Sequence, residues 1–472
     1  MSADTPASSS RSSSARSSRS RWGIAALLTA GAIATGAWAF PHIQQAQEIQ
    51  DGADPSFSAP APSGAATPTA TQTLTAGALD TQLKPIAESF NAGNISGTVT
   101  DAATGELLYS HRADAARIPA SNFKILTDYT LMRHADPAAR YTTAVKQAEN
   151  TLTLVAGGDT LLGTGKSNED LVVGHAGLQT LAQKTIDALA QQDQKNFVLN
   201  LDTSLYSGPA INSAWAQEDI DAGFVNNLAP VAFYSHYSPG ADGRSTTNRP
   251  TQPAQEVQQH LLDTLNELGA QQGITFTLGK EKKADDGAAT VAAVESATVS
   301  EQATFMMQES DNMLAEVLGR NAAIAAGKEG SEQAAKDLVR STLEADGIST
   351  AGLAQTDLCG LSMDNKVTHE TLTQIVRAMV NGENGLSAAL SGFPVAGGSG
   401  TLESRFDDSA EAAARGYARG KTGTLNKVIA LTGYTERDNG QVLIYSFITN
   451  NVTDTAQAKN AIDRSVAVVT NH

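Results

Sequence analysis

The amino-acid sequence predicts an α/β (α+β) fold in which one sheet is built from both ends of the folded part of the chain. Three observations predict it. β-rich runs lie near both ends, at 96–111 and 426–451, and helical segments dominate from about 300 to 380. Between about 141 and 300, short strands alternate with helices and with loops rich in glycine and asparagine. This middle part is therefore predicted to be an insert that interrupts the main domain.

The first 76 residues are predicted to form three segments that precede the folded domain. Residues 1–21, rich in serine and arginine, are predicted to be a basic cytoplasmic leader. Residues 22–40 carry no charge and can span a bilayer, which predicts a signal anchor or a signal peptide cut after Ala37-Trp38-Ala39. Residues 41–76, rich in proline, alanine and threonine, predict a disordered linker. We therefore expect an exported protein at the extracytoplasmic face of the membrane or in the cell wall, touching the membrane through its N-terminal segment.

The composition argues against several classes of function. The formal net charge of -17 argues against a nucleic-acid partner, and against an anionic membrane as a partner for the body of the protein. Cys359 is the single cysteine, so the chain cannot form an internal disulfide or a multi-cysteine metal site. We expect neither a metal nor a cofactor.

The main domain is predicted to begin near residue 77 with a short helix, LDTQLKPIAESF. Two β-rich runs follow around a Thr104-Gly105 turn, which predicts a hairpin. The next helix follows Ser121 and closes at Pro137, because proline is disfavoured inside a helix.

The insert and the second half of the chain follow in order. The insert is predicted to contain the strands TLTLVAGGD and NFVLNLDTSLY and the helices GLQTLAQKTIDALAQQ and PAQEVQQHLLDTLNELGA. Three helices are predicted after residue 300, in SDNMLAEVLGRNAAIAAG, SEQAAKDLVRSTLEADG and THETLTQIVRAMVNG. The chain is predicted to end with the strand NKVIALTGYT, the turn ERDNG, the strand QVLIYSFITNN and a helix from about Asp454.

Ser121 and Lys124 stand three residues apart where the helix starts, in the stretch RIPASNFKILTDYTLM. Side chains at this spacing share one helix face, so the hydroxyl of Ser121 is expected beside the amine of Lys124. A serine becomes a good nucleophile when a base takes its proton, and lysine can be that base only if burial or a second cation lowers its pKa. An isolated pair of this kind is more often a helix start with a lysine that reaches solvent. The catalytic interpretation therefore requires a second cation nearby.

Two further motifs supply the second cation and another serine for the same site. Lys421-Thr422-Gly423 precedes a β-rich run, and Lys421 is the candidate second cation. Ser310-Asp311-Asn312 opens a helix, where the same residue types are also common N-caps. Each motif alone has a purely structural explanation. The three motifs in this order, each at the boundary of an element, indicate one site.

These three motifs resemble the active-site motifs of the penicillin-recognising serine transferases. More narrowly, the sequence resembles the D-alanyl-D-alanine carboxypeptidase/endopeptidase family, the class C low-molecular-mass penicillin-binding proteins. The supporting stretches are RIPASNFK, LVAGGDTLL, SDNMLAEVL, GLSMDNKVT, VAGGSGTLESRF and GKTGTLNKVIALTGYT, which together reach from about Leu79 to the C-terminus. The resemblance implies a penicillin-binding transpeptidase/β-lactamase-like catalytic domain, with an antiparallel sheet flanked by helices, at 77–142 and 300–472. It implies an inserted mixed α/β region at 143–299.

The resemblance also implies the role of each site residue. Ser121 would attack the penultimate D-alanine of a peptidoglycan stem peptide, with Lys124 as general base. Ser310 would pass a proton to the leaving amine, and Asn312 would bind the substrate amide. The terminal carboxylate would be bound by the segment 421–424, through the charge of Lys421 and the hydroxyls of Thr422 and Thr424, with Gly423 between them. The backbone N–H groups of Ser121 and Thr424 would form the oxyanion hole. β-Lactam antibiotics are implied as further partners.

Several alternatives remain open from sequence alone. The chain could be a catalytically weak penicillin-binding or cell-wall-binding module, or less readily a β-lactamase, although no motif indicates a deacylating glutamate. The sequence does not decide between carboxypeptidase and cross-link endopeptidase activity. GGSGT at 397–401 only partly matches a hydrolase nucleophile elbow and is predicted to be a loop near the site, with Arg405 close to it. Cys359, where the family usually has a small residue, is predicted to be a semi-buried neighbour of the site.

Overall fold

The computed structural model describes Leu74 and residues 76–89 and 95–471. The predicted leader (1–21), the predicted targeting segment (22–40) and the predicted linker (41–76), except Leu74 and Ala76, lie outside the described residues. In the described part of the chain, no helix has both the length and the apolar composition that crossing a bilayer requires.

The strands and helices of the described residues are numbered here in chain order. The strands are β1 (Ile95–Asp101), β2 (Leu107–His111), β3 (Arg140–Ala148), β4 (Thr151–Val155), β5 (Asn196–Asp202), β6 (Thr275–Glu281), β7 (Ala289–Thr298), β8 (Arg419–Leu425), β9 (Val428–Glu436) and β10 (Val442–Asn450). The helices are α1 (Asp80–Ser89), α2 (Lys124–His134), α3 (Leu178–Leu189), α4 (Gln217–Asp221), α5 (Pro253–Gly269), α6 (Val299–Glu309), α7 (Asn312–Ala325), α8 (Glu332–Ala345), α9 (His369–Val380) and α10 (Thr455–Asn471).

The first sheet joins the two ends of the folded chain. Its strand order is β2-β1-β10-β9-β8, and every neighbouring pair is antiparallel. β1 pairs with β10 from Ile95 opposite Thr449 to Asp101 opposite Leu443. The β1–β2 hairpin turns at Thr104-Gly105, and Gly105 supplies the positive φ of 73°. The predicted antiparallel sheet, which pairs both ends of the chain, is confirmed.

Helices cover both faces of this sheet. On β10, Leu443, Tyr445 and Phe447 pack in one apolar cluster with residues of α1 and α10. Ile444 and Ile448 point the other way, into a larger cluster that includes residues of α2, α7 and α9. This alternation is the pattern of a strand buried on both sides. The face toward α2 and α9, called here the inner face, is the one that carries the candidate site.

The second sheet has the order β6-β5-β4-β3-β7 and lies entirely between Arg140 and Thr298. β4, β5 and β6 run parallel, whereas β3 is antiparallel to both β4 and β7. Its apolar side chains, with those of α3 and α5, belong to the same cluster as the inner face of the first sheet. The mixed α/β character predicted for the middle of the chain is present. The domain bounds at residues 142/143 and 299/300 stay a prediction.

Candidate active site

Ser121 lies in a 3-10 turn, Ala120–Phe123, that leads directly into α2. The sequence placed Ser121 in the first turn of the α-helix itself; the structure places it one short turn earlier. Two pairs of hydrogen bonds hold the approach to this turn. Arg117 exchanges backbone hydrogen bonds of 2.8 and 2.9 Å with Val367, and the backbone of Ile118 exchanges two of 3.1 Å with the side-chain amide of Asn450. The turn Ala120–Phe123, called here the nucleophile turn, is therefore held by Val367, which precedes α9, and by Asn450 at the end of β10.

Lys124 brings three parts of the site together. Its Nζ donates to Ser121 Oγ at 3.2 Å, to Asn312 Oδ1 at 2.7 Å and to the backbone carbonyl of Cys359 at 2.7 Å. The side chain is fully buried. All three acceptors are neutral oxygens, so the amine is held in a fixed position without a carboxylate as its hydrogen-bond partner.

Burial lowers the pKa of Lys124 below its ordinary value, and the nearby acidic groups of Asp357, Asp311 and Glu316 oppose the shift. A lowered pKa increases the share of the neutral amine, which is the form of lysine that can accept the proton of Ser121. The sequence offered burial or a second cation as the cause. In the structure, burial is the cause that lowers the pKa of Lys124.

Ser310 and Asn312 lie at the junction between α6 and α7. Ser310 ends α6 with a left-handed φ of 58°, and Asp311 caps α7 by accepting a 2.9 Å hydrogen bond from the N–H of Leu314. The sharp bend between the two helices turns both flanking side chains into the site. Asn312 accepts from Lys124, and its amide nitrogen donates to the carbonyl of Phe224 at 3.2 Å.

Lys421 reaches the same junction from β8. Its Nζ donates to Ser310 Oγ at 2.8 Å and to the carbonyl of Thr422 at 3.1 Å. The motif Lys421-Thr422-Gly423 therefore lies inside a strand, rather than before one as the sequence suggested. Gly423 is required by close approach, because a Cβ there would lie 2.5 Å from the carbonyl oxygen of Pro119. β8 thus passes directly against the turn that carries Ser121.

Burial, and after it the neighbouring Lys124, lowers the pKa of Lys421 well below its usual range, while Glu309 opposes the shift. Repulsion between two amines is mutual, so a proton on either one disfavours a proton on the other. Burial and this repulsion both favour the neutral form of Lys421.

Two buried carboxylates, Glu316 and Asp357, hold the loop at 357–360, in which the carbonyl of Cys359 accepts from Lys124. Glu316 Oε1 accepts from the N–H groups of Leu358 and Cys359, at 2.8 and 3.1 Å. Asp357 Oδ1 accepts from the N–H of Gly360 at 2.7 Å. Sequence reasoning assigned no role to either carboxylate, because their hydrogen-bond partners in the loop are backbone groups far away in the sequence or leave no local signal.

Cys359 is fully buried, so the predicted semi-buried position is wrong. Burial raises the pKa of its thiol well above the usual value, which keeps the sulfur protonated and unreactive. The ligand atoms of Glu316, Asp357 and Cys359 lie within 4.8 Å of one another. The carboxylate oxygens already accept hydrogen bonds from the loop, from Arg320 and from Trp215, so the loop itself accounts for the cluster.

The loop at 397–401 lies near the site, as predicted, since Thr401 Oγ1 accepts a 2.8 Å hydrogen bond from Thr422 Oγ1. Arg405 lies next to that loop, as expected, since its backbone N–H donates to the carbonyl of Leu402 at 3.1 Å, but its side chain is buried against α10. Its Nε donates to Asp463 at 3.1 Å. The guanidinium of Arg405 therefore forms a buried ion pair with Asp463, which sequence spacing does not predict.

The structure therefore brings the five predicted catalytic side chains into two hydrogen-bonded groups that meet at the junction between α6 and α7: Ser121, Lys124 and Asn312 in one, and Ser310 and Lys421 in the other. Of the predicted carboxylate-binding residues, Thr422 and Gly423 are buried beside them, whereas Thr424 is exposed at the end of β8. The roles given to these residues, including the oxyanion hole, stay predictions. The arrangement itself provides a hydroxyl, a buried amine and a second amine, which is what acyl transfer through a serine requires.

Comparison with known proteins identifies the family. The D-Ala-D-Ala carboxypeptidase 3 (S13) family matches residues 79–236 and 238–472. Carboxypeptidase DacB of Mycolicibacterium smegmatis is 33% identical over 457 residues, which cover 94% of each chain. Among solved structures, penicillin binding protein 4 (dacB) of Haemophilus influenzae aligns with a TM-score of 0.66 at 18% identity, over 82% of this chain and 98% of that one. Its complex with a β-lactam aligns with a TM-score of 0.58 at 18% identity, over 81% and 98%. The chain therefore belongs to the D-Ala-D-Ala carboxypeptidase 3 (S13) family and is an enzyme of the serine D-Ala-D-Ala carboxypeptidase class.

Proposed function

We propose that this enzyme cleaves the D-Ala-D-Ala bond of peptidoglycan stem peptides through an acyl-enzyme on Ser121. The observation that carries the proposal is the position of Lys124, whose buried amine lies 3.2 Å from Ser121 Oγ. The family is named for this carboxypeptidase activity. The same site could act on cross-links, because the bond type is the same and the substrates differ only in what lies beyond it.

In the proposed reaction, Ser121 Oγ attacks the carbonyl of the penultimate D-alanine while Lys124 takes its proton. The oxyanion that forms would be bound by the backbone N–H groups of Ser121 and Thr424. The C–N bond then breaks, and the proton that Lys124 took would pass through Ser310 to the leaving amine of the terminal D-alanine. Water finally attacks the ester, restores Ser121 and releases the shortened peptide.

The terminal carboxylate of the substrate would bind at Lys421, Thr422 and Thr424. Its negative charge favours protonation of Lys421, because an opposite charge nearby raises the pKa of an amine. Protonation of Lys421 would in turn disfavour a proton on Lys124. Substrate binding would therefore help keep the base neutral when Ser121 is attacked.

A β-lactam presents a strained amide and a carboxylate in a similar arrangement, so we expect it to acylate Ser121. The expected result is a stable adduct on the peptide that contains Ser121, found by mass spectrometry after incubation with labelled benzylpenicillin. Ser121→Ala should form none. Ser399→Ala, which changes the serine of the loop at 397–401, is the matched control and should label like the wild type. An adduct on the Ser121→Ala enzyme would contradict the proposed nucleophile.

Digestion of a purified cross-linked muropeptide separates the two peptidase activities. Release of free D-alanine alone indicates a carboxypeptidase, and separation of the dimer into monomers indicates an endopeptidase. Retention of the penicillin adduct without either product would indicate a weak penicillin-binding module instead.

We also propose that the enzyme acts outside the cytoplasm. The basic segment 1–21, followed by the uncharged segment 22–40, supports export, and the proposed substrate lies outside the cell membrane. Deletion of residues 2–40 is expected to leave the penicillin-labelled enzyme in the cytoplasmic fraction, whereas the full chain should fractionate with the membrane or the cell wall. Recovery of the full chain in the cytoplasm would contradict export.

A further inference from the structure

A series of buried hydrogen bonds begins at Asn122, the residue next to Ser121. Asn122 Nδ2 donates to Thr432 Oγ1 at 2.9 Å. Thr432 Oγ1 lies 2.9 Å from Ser446 Oγ, and Ser446 Oγ lies 2.8 Å from His369 Nδ1. The series thus runs from the nucleophile turn, across β9 and β10, to the first residue of α9.

The series continues through the other side of the imidazole. His369 Nε2 lies 2.8 Å from Ser96 Oγ on β1, and Ser96 donates to the carbonyl of Ile448 at 3.0 Å. We call Asn122, Thr432, Ser446, His369 and Ser96 the five-residue network. All five side chains are fully buried.

The network interrupts a face that is otherwise apolar. Ser446 lies between Ile444 and Ile448 on the inner face of β10, where strand alternation calls for an apolar residue. In the register of the sheet, Thr432 lies opposite Ser446 on one side and opposite Lys421 on the other. The network therefore occupies the same transverse row of the sheet as the second amine of the site. Within the network, the hydroxyls and both ring nitrogens have hydrogen-bond partners, whereas the buried Oδ1 of Asn122 has none among the described residues.

The carbonyl of Ile448, which ends the series and can only accept, determines which atom donates in each hydrogen bond of the network. Ser96 has one hydroxyl proton and gives it to the carbonyl of Ile448, so Ser96 must accept from His369 Nε2–H. Burial, and after it the charge of Arg117, lowers the pKa of His369 to about 3, so the imidazole is neutral and carries one N–H. Nδ1 must therefore accept from Ser446.

The same reasoning extends to the nucleophile turn. Since Ser446 donates to His369, it accepts from Thr432, and Thr432 in turn accepts from the amide nitrogen of Asn122. The Nε2–H tautomer of His369 thus sets the orientation of the Asn122 amide, three hydrogen bonds away. That amide belongs to the same 3-10 turn as Ser121.

We propose that His369 is a positioning residue of this active site: as the Nε2–H tautomer, it fixes the direction of the five-residue network and holds Asn122, and with it the turn of Ser121, in the geometry that acylation needs. The role rests on the proposed function, because it concerns the reactivity of Ser121. It differs from a role in stability alone, since it predicts a loss of reactivity in protein that is still folded.

The first test compares two identical substitutions on β9. Thr432→Val removes the hydroxyl in the middle of the network with little change of shape. Thr435→Val is the matched control, because Thr435 is equally buried and its hydroxyl pairs with Thr470 at 3.0 Å, outside the network. We expect Thr432→Val to slow acylation of Ser121 by benzylpenicillin by about 10- to 100-fold, the size of effect that a small misplacement of reacting groups produces. Thr435→Val should stay within about twofold of the wild type, even if both variants lose a similar amount of thermal stability.

The second test compares two substitutions of His369, one that keeps a hydrogen-bond acceptor for Ser446 and one that does not. His369→Asn places an amide oxygen near the position of Nδ1 and so keeps an acceptor for Ser446, whereas His369→Leu removes it. We expect the Asn variant to acylate faster than the Leu variant, and the apparent dissociation constant of the initial penicillin complex to change little in either.

Three results would each overturn the positioning role: wild-type acylation in Thr432→Val, equal slowing in Thr435→Val, or no difference between His369→Asn and His369→Leu. These outcomes are distinct from a failure of the proposed function, which would appear as a wild-type enzyme that forms no adduct at Ser121.

Discussion

Substitution of Gly360 by alanine is expected to abolish penicillin labelling of Ser121. An added Cβ would lie 1.8 Å from the carbonyl oxygen of Ala120 and 2.9 Å from Cβ of Phe123, and the φ of Gly360 is 86°. The closest atom is backbone of the nucleophile turn, so no side-chain rotation can relieve the overlap. Either the turn that carries Ser121 or the loop that offers the Cys359 carbonyl to Lys124 must move, and both movements damage the site.

Gly347→Ala is the matched control for this prediction. Gly347 also has a positive φ, of 69°, but no atom lies within 4 Å of the added Cβ. A left-handed alanine costs about 1–2 kcal/mol at either position, and overpacking adds about 1–3 kcal/mol at Gly360 alone. Chemical denaturation with fluorescent-penicillin labelling measures both effects. Normal labelling of the Gly360→Ala enzyme would show that the contact with Ala120 does not determine the geometry of the site.

Substitution of Lys124 by methionine is expected to lower the acylation rate by about 10²–10⁴-fold, the usual contribution of a general base. Methionine has a similar length but cannot accept the proton of Ser121. In the wild type, acylation should rise with pH and reach its plateau below the ordinary lysine pKa of about 10.4, because burial favours the neutral amine. The Met variant should lose that dependence on pH.

Stopped-flow acylation between pH 6 and 10 measures both the rate and its pH profile. Lys328→Met removes an exposed lysine and serves as the control, with an unchanged rate and profile. If Lys124→Met kept the wild-type rate and pH profile, another group would have to be the base.

Some of this site could be predicted because its signals are local. Ser121 and Lys124 are three residues apart, so helix geometry alone places them together, and the fold joins Ser310 to Asn312 through a single bend. The β1–β2 hairpin and the strand pattern of β10 were visible for the same reason, since turn residues and alternation are properties of short segments.

Other features depend on contacts between distant residues and leave no local signal. Thr432, Ser446 and His369 look like ordinary members of two strands and a helix, and only the register of the sheet shows that they meet beside Ser121. The ion pair of Arg405 was not foreseen, because its buried partner, Asp463, is 58 residues away. The degree of burial of Cys359 was likewise set by a loop whose shape depends on Glu316.

The pairing of β1 with β10 has a consequence for the newly made protein. β1 leaves the ribosome more than three hundred residues before β10, one of the two strands with which it pairs in the first sheet. The amine of Lys421 and the side chains that surround Asn122 also arrive with these last segments. With the roles proposed above, a nascent or truncated polypeptide without these segments is expected to form no penicillin adduct at Ser121.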